Sequence, residues 1–300
     1  MSLSLGQKAG WGLADMGIVV FVIVKQLLIL AFMNSFLGIP IALAGVVTTA
    51  VLIFDIISDP IIGYFSDKTA SRFGRRAPWM LVGAVVLALA MIGLFAVPEN
   101  FTTNASLIWV TVFFLISTVG FTMVSIPYGA MAGEMTLDKK ERSSMTAWRM
   151  AFASLGILVG GALIPILAGD TKSGYTFAAI CVAPLIILSI WFSVFFTRNA
   201  RRTLVPSQQN FSYILKLVLA NRAFVTLVVL YGIMTLAIAL ITAGLPFAAM
   251  YLIMDDGNSL LSGAAKGLGT LSLMFAAFVI GSIISQAIWV KLSNLYGKVK

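Results

Sequence analysis

The chain has 300 residues, 60% of them hydrophobic and only 10% charged, with a mean hydropathy of +1.02. That composition excludes an ordinary soluble domain and fits a polytopic membrane protein. There is no histidine and a single cysteine, Cys181, so a Ser-His-Asp triad, a His-bound zinc, an internal disulfide and a thiolate cluster are all excluded. The net charge of +9 falls in short loops rather than on a basic face with aromatics, and no nucleic-acid partner is expected.

Eight apolar runs are long enough to cross about 30 Å of hydrocarbon as helices. They cover about 10–34, 41–65, 78–97, 106–131, 145–168, 175–197, 224–253 and 266–289, which makes the expected fold class all-α. The first run is too long for a signal-peptide core and no small-residue cleavage site follows it, so it is read as a spanning helix. If the spans alternate, Lys8, Lys68, Arg72, Arg75, Arg76, Lys139, Lys140, Arg142, Arg198 and Arg222 all fall on one side, with Lys172 and Lys266 on the other. By the positive-inside rule the N-terminus is expected in the cytoplasm.

Six spans over 1–197 are followed by a basic connection over 198–223, with Pro206 and a short amphipathic stretch "FSYILKLVLANR", and by two spans over 224–300. This order suggests one six-helix bundle of a two-bundle transporter and the start of the second. The chain is therefore read as a fragment or a truncated form. No Gly-rich phosphate loop follows a strand, so an ATP-driven pump is not expected, nor is a membrane enzyme, for want of a nucleophile and base.

The second run holds the main candidate site. Asp55 and Asp59 lie about 3 Å and about 9 Å to the cytoplasmic side of its midpoint at 1.5 Å per residue. Their spacing puts both on one helical face. An ionised carboxylate at that depth costs at least about 2.5–3.5 kcal/mol. The two acids therefore share a proton, hold a cation such as Na⁺, or are ion-paired to basic residues of neighbouring helices. Ser58 offers an adjacent hydroxyl, and Pro60 frees a carbonyl of the preceding turn. The first run carries Asp15, Lys25 and Gln26. Asp15 and Lys25 are about 15 Å apart along the axis and cannot pair, so each needs another partner; for Lys25 that is an anionic substrate or the Asp55/Asp59 pair. Asp67 is placed past the end of the second helix, where it pairs with loop basics or a helix terminus. The small-residue runs "GAVVLALA" and "GILVGGALIP" read as close helix contacts.

The stretch "DIISDPIIGYFSDKTASRFGRRAPW" closely resembles the helix 2 and loop 2–3 signature of the glycoside-pentoside-hexuronide:cation symporters, the melibiose-permease-like branch of the major facilitator superfamily. "SIPYGAMAGEMTLDKKERSSMTAWRMAFASLG", "KAGWGLADMG" and "ANRAF" agree with it. The resemblance implies the major facilitator fold, in which a complete member has twelve spans. It also implies a cation site at Asp55, Asp59, Ser58 and Thr122 and a sugar contact at Arg149. Asp15, Lys25, Gln26, Tyr128 and Trp148 are further candidates for substrate, and Trp11 lies at a similar level. The loop residues Asp67, Arg72, Arg75 and Arg76 would form a cytoplasmic latch. Val19 and Ser125 stand where melibiose-type members carry acids, so galactoside recognition is not supported.

The function expected is cation-coupled symport of a sugar or glycoside by alternating access, with Na⁺ or H⁺ as coupling ion and no other cofactor. The expected setting is the bacterial inner membrane and the expected state a monomer. A lipid-handling relative of the family and a transport-incompetent membrane fragment are the alternatives.

Overall fold

In a computed structural model, the structure describes residues 3–69, 71–169, 171–200, 220–251, 270, 272–278, 280–281 and 284–285. No strand occurs among them. Seven helices are long and apolar enough to cross a membrane. They are α1 (Leu5–Ser35), α2 (Ile41–Lys68), α3 (Ala77–Phe95), α4 (Thr103–Met135), α5 (Lys140–Ala168), α6 (Lys172–Thr197) and α7 (Arg222–Ala249). Each matches an expected run because lipid supplies no hydrogen-bond partners, so an apolar stretch must satisfy its backbone internally. The polar flanks supply the ends. Ser4 and Gln7 form a reciprocal capping box at the start of α1. The Thr102 hydroxyl caps α4 by accepting from the Ala105 N–H at 3.3 Å. Gly169, at φ +54, ends α5 in a backbone region that an L side chain resists.

The expected bounds err at the C-terminal ends of α2 and α4. α2 runs to Lys68 and α4 to Met135, so Asp67, expected beyond α2, lies in its last turn. Hydropathy marks where lipid ends, and a helix continues past that level wherever its side chains find polar partners. The expected eighth span is described only in part, with helix over 272–278, and the 201–219 connection with its amphipathic stretch lies outside the described residues.

α1 is the most buried helix. It packs against α5 and α6, while α3 packs against α4 and α6, and α2 against α4. The expected small-residue contacts are present. A Cβ added at Gly156 of α5 would lie 2.5 Å from the Met16 carbonyl oxygen of α1, and one at Gly83 of α3 would lie 2.7 Å from Met123 Cβ of α4. Gly156→Leu must push α1 and α5 apart. It is expected to lower stability by about 1–3 kcal/mol, read as a fall in the melting temperature of the detergent-solubilised chain; an unchanged value would mean that the two backbones are not in contact.

Two π-turns interrupt these helices, Val24–Leu28 in α1 and Val159–Leu163 in α5. Each widens the helix by a residue and so breaks the 3.6-residue progression of its face. α7 packs on the first. The second accepts a hydrogen bond at the Ala162 carbonyl from the Ser272 hydroxyl at 3.2 Å.

Candidate functional site

The first π-turn sets Lys25 toward α2. Its Nζ donates to Asp55 Oδ2 at 2.7 Å and lies 5.8 Å from the centroid of the Phe121 ring. The fully buried Thr122 hydroxyl donates to Asp55 Oδ1 at 3.2 Å. Both oxygens of Asp55 thus have donors. Asp59, one turn later, is different: its Oδ1 is buried with no hydrogen-bond partner among the described residues. The Ser58 hydroxyl donates to the Asp55 carbonyl at 3.1 Å, which leaves its oxygen lone pairs free to accept or ligate. Of the two partners open to Lys25, the structure places it on Asp55. Gln26 follows it in the same π-turn, partly buried.

One ammonium thus faces two carboxyl groups, of which only Asp55 has donors on both oxygens. A buried carboxylate oxygen without a partner calls for an explanation by an ion, a proton or water. Asp59 Oδ1 is a hard oxygen of the kind that suits a monovalent cation. Thr118, one turn from Thr122 on the same face of α4, also has a buried hydroxyl with no partner among the described residues, and the sequence reading passed it over.

A second polar cluster lies nearer the N-terminal end of α1. Arg149 Nε donates to Asp15 Oδ2 at 3.1 Å. The Arg149 guanidinium stands 5.6 Å from the centroid of the Tyr128 ring. Tyr128 stacks on Trp11 at 4.8 Å, and both rings are 2% exposed. Neither ring therefore presents a bare face in this conformation. Trp148, the other aromatic candidate, stacks on Phe152 of its own helix. Asp15 Oδ1 and Tyr128 Oη are both buried without a partner among the described residues, which leaves this cluster one acceptor and one hydroxyl that no described residue satisfies. It rests on the tight α1–α5 contact, where a Cβ on Gly12 would lie 2.8 Å from the Arg149 backbone N.

At the end of α2 the loop arginines separate. Ser71 to Gly74 form a turn closed by the Gly74 N–H to the Ser71 carbonyl at 2.9 Å, with Gly74 at φ +92. Beyond it Arg75 and Arg76 reach Glu134 of α4 at 2.7 Å and 2.9 Å, and Arg76 also reaches Asp67 at 2.9 Å. Arg72, grouped with them in the sequence reading, is not in this network. The turn points it away, over the Phe73 ring at 5.2 Å. Glu134 was missed, although charge balance could have found it: arginines clustered at one level need carboxylates at that level, and α4 ends with a single acid there.

The profile of the MFS/sugar transport protein family matches residues 10–300. The chain belongs to that family. It is thereby a multi-pass membrane protein of a transporter family rather than an enzyme, and the resemblance read in helix 2 is borne out. Among its relatives are the putative glycoside/cation symporter YagG of Escherichia coli strain K12, 30% identical over 73% of this chain and 48% of the relative, and the inner membrane symporter YicJ of the same organism, 28% identical over 68% and 45%. The uncharacterized symporter YjmB of Bacillus subtilis strain 168 is 28% identical over 99% of this chain and 63% of its own length. The chain thus spans about half to two thirds of the length of these family members.

Proposed function

We propose that the chain serves cation-coupled symport of a sugar or glycoside, with the N-terminus in the cytoplasm and the cation held at Asp59 beside the Lys25–Asp55 pair. The carrying observation is the buried, unpartnered Asp59 Oδ1 inside a membrane helix, in a chain of a sugar-transport family whose relatives include a putative glycoside/cation symporter. The cation neutralises the excess charge at α2. The Asp15–Arg149–Tyr128 group offers what a sugar needs, a carboxylate oxygen and a phenol for hydroxyls and guanidinium N–H groups for ring or glycosidic oxygens. The two sites meet at α1 and α4, so occupancy of one biases the other, and that coupling is reciprocal. Alternating access then exposes both to one side at a time, and the Asp67–Arg76–Glu134 network holds the cytoplasmic loop in one of the two states.

The test is thermal unfolding of the purified chain in Na⁺ against choline at matched ionic strength, beside Asp59→Asn. An ion at about 100 times its dissociation constant stabilises by about 2.7 kcal/mol. The expected result is an upward shift in Na⁺ that Asp59→Asn abolishes. A folded protein with no shift would remove Na⁺ as the coupling ion, and a shift kept by Asp59→Asn would move the site elsewhere. In proteoliposomes, uptake competed by free glycosides supports sugar over an amphiphile.

A further inference from the structure

A further cavity lies away from both polar clusters. It is a groove of about 800 Å³ between α3, α6 and the loop that follows α2. Its apolar walls include Phe73, Trp191, Phe192 and Phe195, each between 43% and 59% exposed. In a membrane-spanning helix pair such a surface meets acyl chains. Trp191 fixes the floor by donating its indole N–H to the Leu81 carbonyl of α3 at 3.1 Å.

Two arginines stand at one end of this groove, Arg72 from the turn and Arg198 just past the end of α6. Arg198 lies 4.2 Å from the centroid of the Phe195 ring, as Arg72 lies over Phe73. Neither has an acidic partner within ion-pair distance among the described residues, whereas Arg75, Arg76 and Arg149 all do. The loop thus sends two arginines inward to carboxylates and leaves one outside beside Arg198. A cation at the end of α6 also suits the helix dipole, but that accounts for neither Arg72 nor the aromatic groove between them.

We propose that this groove binds an anionic phospholipid of the cytoplasmic leaflet, with its phosphate between Arg72 and Arg198 and an acyl chain along Trp191 and Phe192. The assignment of leaflet rests on the orientation proposed above. The charge complementarity is that of basic pockets at the cytoplasmic level that take anionic head groups, and guanidinium forks match phosphate oxygens in pairs. The aromatic walls fit the acyl region directly below.

The test uses the whole chain in a neutral detergent, with phosphatidylglycerol, phosphatidylcholine or soluble glycerol 3-phosphate added. Phosphatidylglycerol is expected to raise the melting temperature by about 4–8 °C, and phosphatidylcholine and glycerol 3-phosphate by much less. Arg72→Gln with Arg198→Gln should lose that difference. Equal shifts from the two lipids, a shift kept by the double variant, or a full shift from glycerol 3-phosphate would each overturn the proposal, the last in favour of a free-anion site. Should the double variant not fold, brominated phosphatidylglycerol gives an independent reading. It should quench tryptophan fluorescence more than its phosphatidylcholine counterpart, by a margin that Trp191→Phe removes; an unchanged margin would place the lipid elsewhere. The Na⁺ response at Asp59 is read separately, so loss of the lipid effect with that response intact refutes the groove alone.

Discussion

Arg149→Met is expected to lower stability by about 3–5 kcal/mol, the cost of leaving a buried charge without its partner. Asp15→Asn should cost only about 1 kcal/mol, the value of a partly exposed pair. The asymmetry follows from burial: the Asp15 side chain is 2% exposed and that of Arg149 41%. Without Arg149 the carboxylate is stranded among α1, α5 and Tyr128. Without Asp15 the guanidinium turns to water, carrying its apolar stem along the helix surface. Asp15→Asn combined with Arg149→Met should recover most of what Arg149→Met loses. Thermal unfolding of the four proteins in one detergent decides it. Equal single costs, or a double variant as unstable as Arg149→Met alone, would mean that the pair does not hold this cluster together.

The same residues show how far the sequence can be read. The seven described spans were legible because hydrocarbon length and backbone satisfaction act locally and leave a run of apolar residues. That Asp15 and Lys25 do not pair was legible too, from rise and rotation along one helix, and the structure gives each a different partner. The identity of those partners was not. Lys25 reaches Asp55 across two helices, from a π-turn whose extra residue no helical wheel anticipates. Arg149 reaches Asp15 only because Gly12 and Gly156 let two backbones approach, and a small-residue run announces a close contact without naming the helix on the other side. Arg72 looked like its neighbours Arg75 and Arg76 because loop charges are alike in sequence. The turn ending at Gly74 separates them, and Glu134, an isolated acid more than fifty positions away, decides which of them turn inward.

Asp55→Asn with Asp59→Asn is expected to cost about 3–5 kcal/mol in choline, whereas Asp59→Asn alone should be near neutral there. Lys25, with 12% of its side chain exposed, rests on Asp55, and Asp59 one turn away is the only other acid on that face of α2. Removing Asp59 takes away a carboxylate whose Oδ1 no described residue satisfies. Removing both leaves an ammonium at membrane depth with no counter-charge, and adding Lys25→Met should relieve most of that cost. In Na⁺ the order changes. Lys25→Met alone leaves two carboxylates facing one another, so Na⁺ should stabilise this variant more than it stabilises the parent, with a midpoint concentration at least about tenfold lower, equivalent to 1.4 kcal/mol. At the proposed site the ammonium would compete through its charge: on Asp55 it holds the pair together when no ion is bound, and it limits how tightly an ion binds at Asp59 beside it. Were that ion transported, it would have to be released on every cycle, and a competing charge on a flexible stem would promote that release. If Lys25→Met instead abolishes the Na⁺ response while the protein remains folded, Lys25 shapes the ion's binding geometry rather than competing with it, and the Asp59 carboxyl group alone is not what draws the ion.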